Sequence, residues 1–432
     1  MTPHRSAIGG PAASVGQSPP LNPDRFAGFA CSAIGGPAAS VGQSPPSPEI
    51  SLYIHIPFCA SRCPYCDFAT APATTRLRAR YLAALRAELA REGAALGRPR
   101  VATLFFGGGT PSLLEPGEIG SLHAAVREAF ELAPTEVTFE ANPATLDRAR
   151  LDAWRALGAT RVSLGVQSFS ARALRALGRT HAPEDIAPAV AAARSIGLAV
   201  NLDLIFGRPG ETEAEWADDL DEALALRPDH VSAYPLELAS EPDGSLVNWP
   251  GAGWSALSGW RERASEGQPD DDGLARRYEL ASRRLSAAGY RHYEIANWAR
   301  PGSECRHNLV YWRNGTWLGV GAGAHSHLNG ARSHQPPGLP AYIERVERGL
   351  GRIVDPGADL PVDTALLALR LDEGLDLSAY GGRFGAAARR RVRDALDPLA
   401  GSGLLHWNGE RVALTERGRF LANEVFVRLL PD

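Results

Sequence analysis

Between residues 50 and 235, short apolar runs alternate with longer amphipathic stretches. The runs have the length of buried strands, and the stretches between them have the apolar spacing that is typical of helices. The predicted strands are residues 50–57, 101–106, 136–140, 161–166, 198–206 and 230–235. The predicted helices are residues 76–96, 115–132, 146–157, 171–177, 183–196 and 213–226. Six βα units in this order predict an α/β fold, an open six-stranded β/α barrel of the partial TIM type.

Changes in the pattern divide the chain into four regions. In residues 1–49 the run SAIGGPAASVGQSPP occurs twice, and its Gly, Pro and Ser content predicts a disordered extension. Residues 50–240 form the predicted barrel, and residues 241–354 contain a surface insertion followed by a segment that completes the barrel. Residues 355–432 are predicted to form a separate α+β module. Three helical stretches, residues 364–371, 377–384 and 386–399, precede a strand, an Asn408-Gly409 turn, a second strand and a last helix, an order that resembles a winged helix.

The insertion is rich in tryptophan. Trp249, Trp254 and Trp260 stand among Gly and Ser residues. Exposed indole rings can dock a planar ligand, but they can equally cover the barrel, and covering is the favoured interpretation.

Composition and charge narrow the class of protein. With 44% hydrophobic and 22% charged residues, the chain has the composition of an ordinary globular protein. A net charge of −4 gives no electrostatic signature of nucleic-acid binding, and the basic run at residues 389–393 is interpreted as a solvated helix face. The chain contains no lysine, which excludes Schiff-base catalysis through that residue. Pro and Gly interrupt the apolar stretches, so no membrane span is predicted, and five cysteines are too few for a disulfide scaffold. We therefore expect a cytoplasmic protein.

Polar residues and glycines gather where the predicted strands end. In parallel barrels the carboxyl ends of the strands meet at one rim, which forms the binding site. The residues in question are Cys59, Cys63 and Cys66 after the first strand, Gly108, Gly109 and Thr110 after the second, Glu140 at the end of the third, Gln167 after the fourth and Asp203 on the fifth. We expect them to line a single cavity.

Three cysteines stand within eight positions, with the spacing C-x-x-x-C-x-x-C. Structural zinc normally has four Cys or His ligands, and the only nearby fourth ligand is His55 on the preceding strand. Three thiolates suit a 4Fe-4S cluster, whose fourth iron stays open and can chelate the amino and carboxylate groups of a methionine moiety. The segment resembles the cluster loop of radical S-adenosylmethionine (SAM) enzymes, and this interpretation is favoured over zinc or plain buried thiols.

The glycine run after the second strand allows two interpretations. Alone, it is typical of a tight turn between a strand and a helix. Next to a cluster loop, Gly108, Gly109 and Thr110 can instead offer bare backbone to the methionine end of SAM.

From about residue 51 to its end, the chain resembles the oxygen-independent coproporphyrinogen III oxidase superfamily of radical SAM proteins. The matching stretches are YIHIPFC, CPYCDF, FFGGGTPS, FEANP, LGVQSF, LGRTH, NLDLIFGRPG, GYRHYEIANWARPG and CRHNLVYW. The resemblance implies that Cys59, Cys63 and Cys66 bind the cluster. It also implies the following SAM contacts: Tyr53, Tyr65, Gly108, Gly109, Thr110, Glu140, Gln167, Arg179 and Asp203.

This superfamily has two branches with different functions. One branch decarboxylates the propionates of coproporphyrinogen III, and the other, HemW, is a chaperone that binds heme and transfers it to acceptor proteins. The decarboxylases continue after the last cysteine with Gly, Cys and Asn, whereas this chain has Asp67 and Phe68. They also cover the substrate with a structured N-terminal segment, which a low-complexity repeat cannot reliably replace. The chaperone branch is therefore favoured, with oxidase activity as the alternative.

The chaperone branch implies particular partners. These are heme, a heme-acceptor protein and an electron donor such as flavodoxin or ferredoxin, with membrane contact only through the acceptor. We expect no nucleic-acid partner.

Two histidine-containing segments leave a choice between binding and packing. Cys305 and His307, in a stretch that resembles the HNxxYW sequence of the chaperone branch, are candidate axial ligands of heme iron. A histidine beside aromatic residues is more often a hydrogen-bonded core residue, and that interpretation is favoured. His325 and His327 follow a second glycine run, and packing is favoured there because no acidic third ligand stands nearby.

Overall fold

Six adjacent parallel strands form the centre of the computed structural model, which describes residues 49–237, 260 and 264–430. All the strands of the described residues, in chain order, are β1 (Glu49–Ile56), β2 (Phe58–Cys59), β3 (Ala71–Pro72), β4 (Arg100–Gly108), β5 (Glu131–Ala141), β6 (Arg161–Gln167), β7 (Ala199–Phe206), β8 (His230–Pro235), β9 (Arg291–Glu294), β10 (Asn297–Ala299), β11 (Trp317–Val320), β12 (His325–Leu328), β13 (Ala331–His334), β14 (Ile353–Val354), β15 (Leu375–Asp376), β16 (Leu405–Asn408) and β17 (Arg411–Leu414). The order β1-β4-β5-β6-β7-β8 confirms the predicted six-stranded barrel.

Helices follow the barrel strands and cover their outer face. The α-helices of the barrel and of the later parts of the chain, in chain order, are α1 (Thr75–Ala95), α2 (Pro116–Ala129), α3 (Arg148–Ala156), α4 (Ala171–Ala176), α5 (Ile186–Ser195), α6 (Glu213–Ala225), α7 (Asp271–Ala287), α8 (Arg306–Trp312), α9 (Leu339–Glu347), α10 (Leu360–Arg370), α11 (Leu377–Leu396), α12 (Glu416–Phe420) and α13 (Ala422–Phe426). In the part of the chain that the structure describes, no helix has both the length and the apolar character of a membrane span. The predicted extension up to residue 48 and the insertion residues Trp249 and Trp254 lie outside the described residues.

One predicted helix boundary is wrong. The apolar pattern extended the second helix to Leu132, but α2 ends at Ala129 and β5 begins at Glu131. Phe130 already has extended backbone angles, and Leu132 pairs with Val101 of β4. Local apolar spacing cannot distinguish the last turn of a helix from the start of a buried strand, which is why the pattern extended the helix too far. Pairing with β4 places these residues in β5 instead.

The central sheet is longer than the six predicted strands. β11 adds to the free edge of β1 in parallel, and β12, β13 and β14 continue antiparallel beyond it. At the other edge β10 and β9 add antiparallel to β8, which gives twelve strands in all. The described part of residues 241–354 therefore extends both edges of the barrel.

Alternation along the barrel strands separates an apolar face from a polar one. Residues such as Leu52, Ile54, Phe106 and Phe139 belong to the main hydrophobic core under the helices. The intervening positions are buried but polar: Ser51, His55, Thr103, Thr138, Ser163, Asn201, His230 and Ser232. Because buried polar groups require hydrogen-bond partners, the barrel interior is a polar network that leads up to the rim.

The C-terminal module has its own hydrophobic core, distinct from that of the barrel. Its long helix α11 is broken at Gly385, which has a φ of 90°, as the predicted helix boundary there requires. The hairpin of β16 and β17 turns through Gly409, with a φ of 62°, and β15 pairs with β17. These elements match the winged-helix-like module that the sequence predicts.

Candidate functional site

A cleft opens at the carboxyl ends of the barrel strands. Its walls contain nearly all the residues that the sequence assigns to the site: Cys59, Cys63, Tyr65, Cys66, Gly108, Gly109, Thr110, Glu140, Gln167, Arg179 and Asp203. These residues come from the ends of four strands, from the segment after α4 that contains Arg179 and from the cysteine loop, which confirms that the strand ends converge on one cavity.

Tyr53 is the exception among the predicted SAM contacts. Its ring is 2% exposed and packs with Phe105, Ala324 and Cys305 inside the barrel. Its hydroxyl lies 3.0 Å from Nδ1 of His55. Tyr53 stands three residues before the end of β1, so its side chain lies one layer below the rim and does not line the cleft. The assignment of Tyr53 as a SAM contact stays a prediction.

The three cysteines stand on a loop that is held at both ends. The backbone N–H of Cys66 donates to the carbonyl of Cys63, with an N···O distance of 3.1 Å. Thr110 donates to the sulfur of Cys59 over 3.7 Å, and Arg179 donates to the sulfur of Cys63 over 3.8 Å. All three thiols are free and partly exposed.

The electrostatics of this loop fit a cationic metal centre. Burial, with a smaller contribution from the neighbouring Cys63, raises the pKa of Cys59 to about 11. The same causes raise the pKa of Cys66 further. Three thiolates in one loop are therefore unfavourable without a cation, and a bound metal deprotonates its thiol ligands.

The geometry also distinguishes a cluster from a single metal ion. His55, the candidate fourth zinc ligand, is fully buried, and its Nε2 lies 2.8 Å from the carbonyl of Ala69 while its Nδ1 faces Tyr53. Within the described residues, no three His, Cys, Asp or Glu side chains converge on a single ion position. Both ring nitrogens of His55 are thus already engaged, so this residue is not available as a fourth zinc ligand, whereas a three-cysteine cluster requires only one thiolate for each of three irons.

The glycine run lies against the end of β1 with no room for side chains. A Cβ atom on Gly108, whose φ is 114°, would lie 2.4 Å from the ring of His55. A Cβ atom on Gly109 would lie 2.7 Å from the carbonyl carbon of Pro57. The amide of Gly109 donates to the carbonyl of Ile56 over 2.8 Å. This packing leaves bare backbone on the cleft wall, where a ligand can approach closely.

Two buried carboxyl groups face the cleft. Glu140 accepts a hydrogen bond from the amide of Gly108 over 2.8 Å, and burial together with the charge of Asp203 raises its pKa well above the usual value. Asp203 accepts from Ser163 over 2.9 Å and from Asn201 over 2.8 Å, and burial raises its pKa as well. A cationic ligand would favour the ionised form of both groups.

Gln167 and Arg179 occupy the opposite wall. Gln167 has a φ of 66° and follows an irregularity in the pairing of β6 with β7, which turns the backbone at the rim. Arg179 donates to the carbonyl of Gly165 over 2.7 Å. The preceding Gly178 packs against Pro64, since a Cβ atom there would lie 2.9 Å from the proline ring. Arg179 is thereby fixed between β6 and the cysteine loop.

The cleft also contains residues to which the sequence assigned no role. Tyr234 lines it, together with the apolar side chains of Phe68, Ile205 and Leu236. The available signal was that Ile205, Tyr234 and Leu236 stand at or next to the ends of β7 and β8, and that Phe68 stands on the cysteine loop. Trp260 packs on the cluster of Leu177, Ile205 and Leu236 and donates to the carbonyl of Ala176 over 3.0 Å, which agrees with a covering role for this tryptophan.

His307 and Cys305 lie away from the cleft, at the opposite end of the barrel interior. His307 is fully buried, with Nδ1 2.7 Å from the hydroxyl of Thr103 and Nε2 2.8 Å from that of Tyr311. Burial lowers its pKa to about 3. Cys305 donates to Glu136 over 3.4 Å. The structure supports the interpretation of His307 as a hydrogen-bonded core residue.

Comparisons with known proteins agree with this geometry. Residues 53–223 match the radical SAM superfamily, and residues 356–421 match the HemN C-terminal domain. The chain is 42% identical over 388 residues to "Heme chaperone HemW" of Mycobacterium tuberculosis, covering 88% of this chain and 94% of that protein. It is 34% identical over 400 residues to the protein of that name from Escherichia coli, covering 89% and 99%.

A solved structure shares the whole architecture. Coproporphyrinogen III oxidase (HemN) from Escherichia coli, a radical SAM enzyme, superposes with a TM-score of 0.75 at 25% identity, covering 89% of this chain and 90% of that one. The similarity includes the barrel and the C-terminal module.

Proposed function

Because the chain belongs to the HemW family of radical SAM proteins, we propose that it is a heme chaperone, which binds heme and transfers it to an acceptor protein. The observation that carries this proposal is the full-length similarity to proteins named for that function, at 42% and 34% identity over nearly nine-tenths of the chain. The cofactors of the superfamily, a 4Fe-4S cluster and SAM, come with this membership.

We assign the cluster to Cys59, Cys63 and Cys66, each binding one iron. When bound, the cluster supplies the electron for reductive cleavage of SAM. The chain's own residues would hold the methionine end against the bare backbone of the glycine run, with Glu140 and Asp203 as acidic partners. Arg179, Gln167, Thr110 and Tyr65 complete the proposed contact set.

The cluster requires an electron donor, for which flavodoxin and ferredoxin are the proposed candidates. We further propose that the protein acts in the cytoplasm and meets membranes only through its acceptor.

Two observations favour the chaperone over the oxidase. The residues after the last cysteine, Asp67 and Phe68, line the cleft in place of the Gly, Cys and Asn of the decarboxylases. Decarboxylation requires a propionate carbon within a few ångströms of the reacting radical, and a misplacement of about 1 Å can cost on the order of a hundredfold in rate. The similarity to the oxidase structure, at 25% identity, is lower than that to the chaperones.

One experiment with two readouts tests the proposal. Anaerobically reconstituted protein is titrated with heme, and separately supplied with coproporphyrinogen III, SAM and reductant, with the Escherichia coli oxidase as the positive control. We expect saturable heme absorbance, transfer of heme to an apo-acceptor, and no decarboxylated product above the no-enzyme level. Product formation over several turnovers would establish the oxidase function instead.

A further inference from the structure

The ring environments of the described histidines differ sharply. The imidazole groups of His55, His181, His230, His292, His307 and His327 all have hydrogen-bonded ring nitrogens. His325 and His334 are different, since each is partly exposed and their rings stack on one another. Within residues 49–237, 260 and 264–430, no hydrogen bond joins either ring to the protein.

The two rings form a cross-strand pair on the hairpin of β12 and β13. His325 stands directly opposite His334 in the antiparallel register. Their ring centroids are 5.4 Å apart, with an interplanar angle of 29°. Burial lowers the pKa of His325 to about 4 and also lowers that of His334, so both rings are neutral near pH 7. A neutral imidazole has a free lone pair, which is the form that binds iron.

The register places this pair on the inner face of the sheet. Ser51 of β1 pairs with Trp317 of β11, which pairs with His327 of β12. Residues opposite one another share a face, as do residues two apart on a strand, so His325 shares the face of Ser51. A Cβ atom on Gly323, two residues before His325, would lie 3.1 Å from Cβ of Ala69, which follows the cysteine loop. The hairpin therefore starts beside the cluster loop.

The surroundings suit an amphipathic macrocycle. Ile353 stands opposite His334 on β14, and Leu350, three residues before Ile353, is 40% exposed. Arg345 is the cation that acts on His334, and Asp355 is the carboxylate that acts on both rings, whereas Arg332 beside His325 is paired with Asp363 and lies over the ring of Trp317. A histidine-ligated heme site combines an axial imidazole nitrogen, apolar contact for the porphyrin faces and positive charge for the propionates. All three lie together here.

We propose that His334 is the axial ligand of the heme iron, with His325 stacked against it and the apolar side chains of Leu350 and Ile353 contacting the porphyrin. This inference rests on the proposed heme-chaperone function and specifies its binding site. It assigns the heme iron to a pair of histidines whose ring nitrogens have no hydrogen-bond partner among the described residues, rather than to the buried His307.

The test compares heme binding by the unaltered full chain with that of His334→Ala, His325→Ala and the double variant. We expect His334→Ala to weaken heme affinity at least tenfold and to lose the absorbance spectrum of histidine-ligated iron. Added imidazole should restore that spectrum by occupying the vacated position. His406→Ala, which removes an exposed histidine on β16, is the matched control and should bind heme normally.

Cluster content and melting temperature verify that each variant is folded, and His334→Gln provides a second, closer substitution if the alanine variant is unstable. A double variant with unchanged affinity and spectrum would overturn this site while leaving the chaperone function intact. Failure of the unaltered protein to bind heme would overturn the function itself.

Discussion

The barrel has two ends: the rim, where the strand ends form the cleft, and the floor, the opposite end around Glu136 and His307. The two ends contain the same kinds of residues but differ in how closely their polar atoms are hydrogen-bonded. At the rim, the sulfurs of Cys59 and Cys63 have only long contacts of 3.7 and 3.8 Å with donors. At the floor, Glu136 accepts from the amide of His307 over 3.0 Å and pairs with Arg161 at 3.4 Å, while both nitrogens of the His307 ring are bonded. A polar side chain can bind a ligand where its atoms still lack close hydrogen-bond partners, whereas the same type of side chain with its atoms bonded belongs to a structural network.

Chain topology explains the difference. The rim is formed where the strand ends diverge into loops, so its groups face a cleft. The segment that leads into α8 closes the floor. In this segment, the backbone carbonyl of Ser303 accepts a hydrogen bond from Arg161 over 2.7 Å. Glu136 and His307 in this closed layer bond to neighbouring protein groups, so their polar atoms are not available to a ligand.

Replacing a cysteine at each end gives the sharpest test of this comparison. Cys63→Ala should abolish the 4Fe-4S cluster, because two thiolates cannot hold the cluster as three do. Cys305→Ala, at the floor, should retain it. Anaerobic iron and sulfide analysis measures both. Normal iron content in Cys63→Ala, or stoichiometric zinc in the unaltered protein, would contradict the assignment.

A floor substitution should produce the opposite result. His307→Ala removes two buried hydrogen bonds and leaves Thr103 and Tyr311 without this partner, which should lower the free energy of unfolding by about 3 kcal/mol. The cluster content of the folded fraction should stay normal. Denaturant unfolding provides the measurement.

The same variant has a pH signature. Since burial lowers the pKa of His307 from 6.5 to about 3, the folded form stays neutral where the unfolded chain binds a proton. Stability from this group is therefore lost as the pH falls from about 6.5 towards 3, and the variant should lack that part of the acid sensitivity. An unstable variant that has also lost heme affinity per folded molecule would show that the floor participates in binding.

Changing charge at the rim should have a smaller, ligand-specific effect. Glu140→Gln should weaken SAM binding about tenfold, or about 1.4 kcal/mol, because SAM is cationic at its sulfonium group. In the unaltered protein the raised pKa of Glu140 means that affinity increases as the pH rises and the carboxyl group ionises. Calorimetric titration with SAM over a range of pH should show this increase in affinity with pH. The pH dependence should be reduced in Glu140→Gln and retained in Glu347→Gln, which changes an exposed residue on α9 and serves as the control. A slope unchanged in Glu140→Gln would assign the titration to another group.

The smallest effect is expected outside both regions. Deletion of residues 1–46 should leave the melting temperature within about 4 °C and cofactor affinity within about tenfold, because a repeat rich in Gly and Pro contributes no core. Thermal unfolding and SAM titration of the shortened chain measure this. A larger loss would show that the repeat packs on the barrel.

The sequence predicted the repetitive features of the fold well. The six barrel strands, the break at Gly385 and the Asn408-Gly409 turn all follow from period, length and glycine position. The strands at the sheet edges, such as β11 and β14, were not assigned, because they are two to four residues long and too short for a periodic signal. Their pairing depends on the edges that the barrel offers.

The sequence by itself determined which residues gather at the rim, because strand order and the cysteine spacing are properties of the chain alone. Tertiary structure decided which of the remaining candidates are open. Tyr53 lies one layer below the rim, His307 has both nitrogens bonded, and His325 meets His334 only because two antiparallel strands share a register. Burial and hydrogen bonding depend on neighbours distant in sequence, so only the folded chain can separate a residue with a satisfied ring from one that is free to bind.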